Sequence, residues 1–258
     1  MINEKQIAFI TCVNDDAQYS TCLKYIEQID LPKGYTYEII GIRGAKSLAS
    51  GYNEAMAKSK AKYKVYLHQD TYIVNKMFIH AILSIFTSNF QVGILGVAGA
   101  GTLRMNVSWC NSKDKYGKVI ENSHGGSFRL LAFQEVTYLK AVQCVDGLFM
   151  ITQYDIPWRD DIFDGWHFYD ISQCMEFRRS GYEVCIPEQQ EAWCIHDCGV
   201  LNKANIDKYR YVFLKEYSKE LFGIHYRPVW IMHKTKKIIR LYTKKVELTV
   251  KKLIRNSF

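Results

Sequence analysis

The stretch from Ser47 to Asp70 reads SLASGYNEAMAKSKAKYKVYLHQD and joins a helix pattern to a strand pattern. Ser47 is a preferred N-cap residue, and the segment Ser47–Ser59 that begins with it predicts an α-helix. The run Tyr63–Leu67 is rich in β-branched and aromatic residues, which predicts a strand. This strand stops at the polar triplet His68-Gln69-Asp70, so polar side chains follow directly on a predicted core strand.

The same alternation of strands and helices continues on both sides of this stretch. The further elements that the sequence predicts are a strand over Ile7–Val13, a helix over Ala17–Asp30, a strand over Tyr35–Ile42, a helix over Lys76–Phe86 and a strand over Val92–Ala98. Such alternation is typical of right-handed crossovers onto a parallel sheet, so we expect an α/β fold whose central, mostly parallel sheet is flanked by helices. Ligands of such sheets bind outside the carboxyl ends of the strands. We therefore expect Asn14, Arg43 and Asp70 to lie near one another.

The stretch 99–139 has no clear hydrophobic period. It contains Gly99-Ala100-Gly101 and Gly125-Gly126, and it predicts long loops or a small hairpin insertion, which in compact domains are often functional. Beyond it the sequence predicts a strand within Val142–Thr152, a helix over Phe168–Ser180 and a strand over Tyr182–Ile186.

The composition is that of a globular protein. Of 258 residues, 48% are hydrophobic and 23% are charged, which excludes a disordered chain and a collagen-like fibre. The net charge of +8 is concentrated near the C-terminus, because residues 225–258 contain ten Lys and Arg and one acid and leave residues 1–224 with a charge of −1. We therefore expect no nucleic-acid-binding surface on the body. The sequence has no window of about eighteen uncharged apolar residues, so we expect no membrane-spanning helix.

The charge distribution predicts a body over residues 1–222 and a basic amphipathic C-terminal helix over residues 223–258. After Pro228, apolar residues recur near helical spacing among the lysines. A basic amphipathic helix can lie on an anionic membrane surface. A helix packed on the body and a dimer contact are the alternatives, and the oligomeric state stays open. The N-terminus does not read as a signal peptide, and the eight cysteines are expected to be reduced, so we expect a cytoplasmic protein, peripheral at the inner face of the membrane.

Two groups of residues resemble a family 2-type glycosyltransferase with the GT-A fold. The run Leu48–Ala55 (LASGYNEA), with the following strand and His68-Gln69-Asp70, resembles the donor half of that family, in which a strand ends in a D-x-D element. The His-Gln-Asp version resembles the subgroup typified by the streptomycin-biosynthesis glycosyltransferases. The runs Phe163–Asp170 (FDGWHFYD) and Arg178–Tyr182 resemble the acceptor half, where Glu-Asp opens a helix that ends in Gly-Tyr. The resemblance covers roughly residues 5–200.

The resemblance implies an inverting, metal-dependent glycosyltransferase. Such an enzyme moves a sugar from a nucleotide-diphosphate sugar donor to a hydroxyl group, here expected on a glycan or lipid-linked glycan acceptor. The departing diphosphate carries concentrated negative charge, which a divalent cation (Mn²⁺ or Mg²⁺) would neutralise.

The metal ligands that the resemblance implies are Asp70 and His196. His68 stands in place of the first acid of D-x-D, and we expect it to contact the nucleotide or a water of the metal shell. The alternative for Asp70 is that it only caps the following turn. One alternative for His196 is a zinc site with Cys194 and Cys198, although no second Cys/His pair accompanies them in the sequence. The other is a strand of buried cysteines that has His196 at its end and binds no metal.

The general base that the resemblance implies is Asp170, which matches the Asp of the family's Glu-Asp pair, with Tyr169 in place of the Glu. A carboxylate at a helix N-terminus can also be a simple N-cap, and that interpretation is the alternative. Asp164 and Asp161 are the nearby acids that could replace Asp170 as the base.

The donor-binding residues that the resemblance implies follow the strand ends. The backbone of Thr11 and Cys12 is expected to bind the base, and Asn14 the ribose region. Further expected contacts come from Arg43, which stands where the family more often has an Asp, from Asn53, which would help to shape the pocket, and from Asp146, which binds donor-sugar hydroxyls or only caps a turn.

Two other classes of protein stay open on the sequence alone. Because His68 and Tyr169 both replace family acids, one is a catalytically silent nucleotide-sugar-binding module. The other is a membrane-surface adaptor that acts through the basic tail.

Overall fold

The computed structural model describes residues 1–122, 126–199, 204–224 and 226. The chain divides into two units, residues 1–212 and 213–258, whereas the sequence suggests a boundary at 222/223. The basic amphipathic helix expected over 223–258 lies outside the described residues, apart from residues 223, 224 and 226.

The helices and strands follow in chain order. The strands are β1 (Asn3–Val13), β2 (Thr36–Arg43), β3 (Ala61–Leu67), β4 (Thr71–Ile73), β5 (Val92–Gly96), β6 (Ala98–Ala100), β7 (Lys115–Glu121), β8 (Arg129–Ala132), β9 (Leu139–Ala141), β10 (Cys144–Val145), β11 (Phe149–Thr152), β12 (Glu183–Pro187) and β13 (Cys194–His196). The helices are α1 (Asp16–Ile26), α2 (Leu48–Lys58), α3 (Phe78–Ser88), α4 (Tyr169–Arg179) and α5 (Ile206–Phe222), with a short 3₁₀ turn over Trp109–Asn111.

The main sheet has seven strands in the order β2-β1-β3-β11-β5-β12-β9. β1 pairs in parallel with both β2 and β3, and β12 pairs in parallel with β5. β11 and β9 pair antiparallel with their neighbours, so five strands of this sheet run in one direction and two in the other. This confirms the expected α/β fold with a central, mostly parallel sheet.

Helices cover both faces of this sheet, which explains why the middle of β1, Ile7–Ile10, is fully buried. Phe9 and Phe78 of α3 contact each other on one face, with ring centroids 6.1 Å apart. On the other face the rings of Tyr52 in α2 and Tyr66 in β3 lie 4.9 Å apart. α2 begins where the sequence predicts, because Ser47 caps it in a capping box with Ser50.

A second, smaller sheet has the strand order β10-β6-β7-β13-β4, with β8 paired to β7. Of its strands, β7, β8 and most of β6 lie in the stretch 99–139, for which loops or a hairpin are predicted. β7 and β8 form an antiparallel pair, as the hairpin alternative requires. β7 also pairs in parallel with β13, which sets Glu121 opposite His196, and β13 pairs antiparallel with β4, which sets His196 opposite Thr71. This sheet therefore brings His196 next to the end of β3.

α5 is a helix that the sequence analysis does not predict. In the first unit it contributes Tyr209, which is buried, and in the second unit it contributes Phe213 and Tyr217, whose ring centroids lie 4.8 Å apart. Within the described ranges, we find no helix that combines the length and the apolar composition needed to span a bilayer.

Candidate active site

A cavity of about 530 Å³ opens at the carboxyl ends of β1 and β3. Its walls include Cys12 and Asn14 at the end of β1 and His68-Gln69-Asp70 directly after β3. Trp166 and His167, in the segment before α4, line the same cavity. The cavity lies where parallel α/β sheets bind ligands.

The Gln69 side chain forms hydrogen bonds that connect the end of β3 to the end of β1. Its Oε1 accepts hydrogen bonds from the backbone N–H groups of Asn14 (2.8 Å) and Asp15 (2.9 Å), and its Nε2 donates to Asn14 Oδ1. Gln69 has no predicted role from the sequence. The available signal is its position between two candidate site residues at the end of a predicted strand.

His68, Asp70 and His196 form a cluster of potential metal ligands whose ligand atoms all lie within 4.8 Å of one another. Asp70 Oδ1 lies 3.5 Å from His196 Nε2 and 3.9 Å from His68 Nδ1. Among the described residues, Asp70 Oδ1 and His196 Nε2 are buried side-chain atoms without a hydrogen-bond partner. Buried polar atoms normally have partners, so the two atoms have unused capacity to bind a cation.

The donor set of this cluster fits a divalent cation. Burial is the main cause that lowers the pKa of His196 to about 4, while the charge of Asp70 opposes the shift and that of His68 adds to it. The imidazole is therefore neutral at pH 7, the form that binds metal ions. A carboxylate oxygen with imidazole nitrogens suits Mn²⁺ better than Mg²⁺, which prefers oxygen ligands.

Tyr169 links the cluster to the start of α4. Its hydroxyl shares a hydrogen bond of 2.6 Å with His68 Nε2. Burial is the main cause that raises the pKa of Tyr169 well above its usual value, so the hydroxyl stays protonated. Gly147 lies against this hydroxyl, because a Cβ at Gly147 would lie 2.1 Å from it.

Asp170 is the second residue of α4 and not its N-cap. The N-cap position is held by Phe168, whose φ of 65° is in the left-handed region that non-glycine residues rarely adopt. Asp170 Oδ2 accepts a hydrogen bond of 3.1 Å from the Gly147 N–H. Burial raises the pKa of the Asp170 carboxyl, while backbone N–H groups, including those of Ile171 and Gly147, and the nearby His68 oppose the shift.

Asp170 lines a second cavity, of about 190 Å³. Other walls of this cavity come from Trp109 and Cys110 and from Arg210 in α5. His167 lines both cavities, so the two adjoin at the segment that leads into α4.

The two acids that could replace Asp170 as a base are engaged in ion pairs. Asp161 accepts two hydrogen bonds from Arg159, of 2.8 and 2.9 Å, which lower the pKa of Asp161. Asp164 accepts hydrogen bonds from Lys208 and Tyr209, which lower its pKa as well. Of the three acids, Asp170 alone has a raised pKa, which brings it closer to the range of a general base.

Asp146 lies near Asp170 at the start of the turn into β11. Its Oδ1 accepts a hydrogen bond of 3.0 Å from the Leu148 N–H, as in a turn cap. Burial and the negative charge of Asp170 raise the pKa of Asp146 to about 7.

Asp146 and three other residues predicted to contact the donor are not among the described residues that line the larger cavity. The Thr11 side chain is buried within β1. The Arg43 guanidinium donates hydrogen bonds to Asp16. The Asn53 amide accepts a hydrogen bond from the Trp158 backbone N–H and donates one to the Trp158 carbonyl, each of 2.8 Å.

Cys194 does not join a metal-binding group among the described residues. It lies in the hydrophobic core, fully buried, opposite Ile73 of β4. The zinc alternative with Cys194, His196 and Cys198 together is therefore not supported, because the ligand atoms of these three residues do not all lie within 4.8 Å of one another.

The structure is similar to solved structures of GT-A glycosyltransferases. The chain is similar to S. aureus TarS 1-349, with a TM-score of 0.51 and 10% identity over 82% of this chain and 71% of that one. It is also similar to GalNAc-T7, crystallised with UDP, GalNAc and Mn²⁺, with a TM-score of 0.54 and 8% identity over 91% of this chain and 54% of that one. The chain spans 40% of the longer TarS chain. At these identities the likeness shows the fold alone.

The sequence matches the model of one protein family. No curated protein matches the sequence. The model of the glycosyltransferase-like family matches residues 8–217, which is most of the chain and includes both cavities. The protein therefore belongs to this family of family 2-type glycosyltransferases and has its GT-A fold.

Proposed function

We propose that this protein transfers a sugar from a nucleotide-diphosphate sugar to a hydroxyl group of a glycan or lipid-linked glycan, with inversion at the anomeric carbon. The observation that carries the proposal is the position of Asp170. Its carboxylate has a raised pKa and lines a cavity that shares His167 with the larger cavity at the strand ends. A donor in one cavity and an acceptor in the other would meet beside this carboxylate.

The donor occupies the larger cavity in this proposal. Its volume, about 530 Å³, is in the range of cofactor and ligand sites. S. aureus TarS has been crystallised with UDP and with UDP-GlcNAc, which supports a nucleotide-diphosphate sugar here. The backbone of Thr11 and Cys12 and the side chain of Asn14 would contact the nucleotide.

Other predicted donor residues act less directly in this proposal. Since the side chains of Arg43 and Asn53 bond to Asp16 and Trp158, they would support the elements beside the cavity without reaching the nucleotide. Asp146 would bind the donor sugar in its protonated form, which its raised pKa favours.

A divalent cation, Mn²⁺ or Mg²⁺, would be held by Asp70 and His196 with His68 beside them. The buried, unpartnered atoms Asp70 Oδ1 and His196 Nε2, found in the described part of the chain, support this assignment. When bound, such a cation neutralises the negative charge of the departing diphosphate. Tyr169 orients His68 through their shared hydrogen bond.

The chemistry assigned to the chain's own residues is proton transfer and positioning. The Asp170 carboxylate accepts the proton of the acceptor hydroxyl as the new glycosidic bond forms. The Gly147 N–H fixes the orientation of that carboxylate. Attack from the smaller cavity, opposite the departing diphosphate, inverts the anomeric configuration.

The test compares Asp170→Asn with Asp164→Asn. A thermal-shift screen with UDP, dTDP and GDP sugars in Mn²⁺ first identifies the donor, because a ligand that binds the native state raises the Tm. Asp170→Asn should lower transfer by about 10²–10⁴-fold with donor affinity unchanged. Asp164→Asn, whose acid is held by Lys208, should stay near wild type. Near-normal transfer by Asp170→Asn, or a product with retained configuration, would refute the proposal.

Two finer assignments belong to the same proposal. The His68-Gln69-Asp70 triplet supports the subgroup that resembles the streptomycin-biosynthesis glycosyltransferases. The ten Lys and Arg within residues 225–258 support attachment to an anionic membrane surface. The full chain should bind vesicles that contain anionic lipid and leave them at raised salt, since the attraction is screened over about 8 Å at physiological ionic strength. Absence of binding at low salt would contradict this assignment.

A further inference from the structure

A second group of metal-binding side chains adjoins the candidate active site and shares His196 with it. The group consists of Glu121 at the end of β7, His196 at the end of β13 and Cys198 two residues later. One ligand atom from each residue lies within 4.8 Å of the others. Cys198 Sγ lies 3.8 Å from Glu121 Oε1.

The separation of these atoms is close to what a zinc ion requires. Bonds of about 2.3 Å to sulfur and about 2.0–2.2 Å to nitrogen and oxygen in tetrahedral geometry set the ligand atoms roughly 3.3–3.8 Å apart. The Cys198 Sγ–Glu121 Oε1 distance already lies at the upper end of this range. A shift of the His196 imidazole by about 1 Å or less would bring its ligand nitrogen into the same range of both atoms. Three protein ligands leave a fourth position for water, as in many zinc sites.

The donor set differs from that of the Asp70 cluster. A thiolate with an imidazole and a carboxylate favours zinc and other thiophilic cations, whereas Mn²⁺ and Mg²⁺ prefer oxygen ligands. Cys198 and Glu121 are both half-buried, so an ion from solution can reach them.

The backbone holds the two segments of this group together. Glu121 and His196 are direct neighbours in the parallel pair of β7 and β13. The Asn122 N–H donates to the His196 carbonyl (2.9 Å), and the Gly199 N–H donates to the Asn122 carbonyl (3.0 Å). The ligands are therefore held near one another before any ion binds.

We propose that Glu121, His196 and Cys198 form a binding site for zinc or a similar thiophilic cation, and that zinc bound there withdraws His196 from the Asp70 cluster. The second half of this inference rests on the proposed function, because it assumes that transfer requires His196. Zinc is then an inhibitor of the Mn²⁺-dependent reaction.

The binding site is tested with metal alone on the full, metal-free chain. Co²⁺ should produce the near-ultraviolet absorption band of a cobalt–thiolate bond, and equimolar Zn²⁺ should remove it. In Cys198→Ser the band should be absent and the Zn²⁺ affinity, measured by competition with a chromophoric chelator, at least tenfold weaker. Glu121→Gln should weaken Zn²⁺ binding as well. No band in the wild type, or a band that persists in Cys198→Ser, overturns the site.

Two controls locate the ion. Cys110→Ser removes an exposed thiol outside the group and should leave the band unchanged. Asp70→Asn should also keep it, because Asp70 is not a ligand of this site. Loss of the band in Cys110→Ser or in Asp70→Asn would overturn the assignment.

The competition for His196 is tested by measuring sugar transfer in Mn²⁺ at increasing Zn²⁺ concentrations. Micromolar Zn²⁺ should inhibit the wild type, whereas Cys198→Ser should show wild-type transfer and need at least tenfold more Zn²⁺ for the same inhibition. Zinc that binds through Cys198 without inhibiting would overturn the competition. The cobalt spectrum needs neither donor nor turnover, so failure of the proposed function would be seen separately.

Discussion

Gly147→Ala is expected to impair transfer by displacing two site residues at once. A Cβ at this position would lie 2.1 Å from the Tyr169 hydroxyl, 2.6 Å from Tyr169 Cζ and 2.9 Å from Asp170 Cβ. Since unstrained carbon contacts are about 3.5–4.0 Å, the Tyr169 ring must move by more than about 1 Å. That movement breaks the hydrogen bond to His68 and shifts the carboxylate of Asp170.

This displacement sets the expected losses of transfer rate and of stability. A misplacement of about 1 Å at a reacting group can cost about 10²-fold in rate. Overpacking costs about 1–3 kcal/mol of stability, which for a chain of this size lowers the Tm by about 2–10 °C. The assays are release of nucleoside diphosphate from the identified donor and thermal unfolding. Gly126→Ala is the matched control, because a Cβ there meets no atom of the described residues within 4 Å. Transfer by Gly147→Ala within about threefold of the Gly126→Ala control would refute the link between this contact and the site.

Two further predictions concern carboxylates of the site. Asp70→Asn should weaken nucleoside-diphosphate affinity in Mn²⁺, measured by calorimetry, by more than about tenfold. The control Asp161→Asn should keep the wild-type affinity. If Asp70→Asn and the wild type bind with equal affinity, Asp70 is not a ligand of the metal site. Because the pKa of Asp146 is raised to about 7, the folded state binds more protons than the unfolded state between pH 4 and 7, so stability falls as pH rises through this window. Asp146→Asn should reduce that fall in denaturant titrations at pH 5 and 7.5, and an unchanged pH dependence would contradict the buried carboxyl.

The parts of the fold that the sequence predicts well are those with a strong local signal. β1, β3 and α2 have apolar periodicity over seven or more residues or a capping box, and the structure places them close to the predicted ranges. β4 and β6 have three residues each, too few for a period, and they exist only because neighbouring strands pair with them. α5 has apolar residues four apart at Tyr209, Phe213 and Tyr217, a helical signal that the sequence analysis leaves unused.

The candidate site likewise contains residues whose position the sequence predicts and residues whose position it does not. The rule that ligands bind at strand ends brings Asn14, His68 and Asp70 to one cavity. The same rule fails for Arg43, because Asp16, the first residue of the preceding helix α1, is an ion-pair partner that only the folded structure reveals. The role of Gln69 and the contact between Gly147 and Tyr169 join residues far apart in sequence, and no local pattern predicts either.

The antiparallel pairing of β13 with β4 has a consequence for synthesis on the ribosome. β3 and Asp70 leave the ribosome 126 residues ahead of His196, which at about 5–20 residues per second is a delay of about 6–25 s. During this interval β1, β2 and β3 can already pair with one another, because all three have emerged, whereas β11, the other neighbour of β3, follows later. The nascent chain then presents an acidic strand end that lacks its histidine neighbour. Chains that terminate before β13 would keep Asn14 and His68-Gln69-Asp70 and lack one of the two imidazoles beside Asp70.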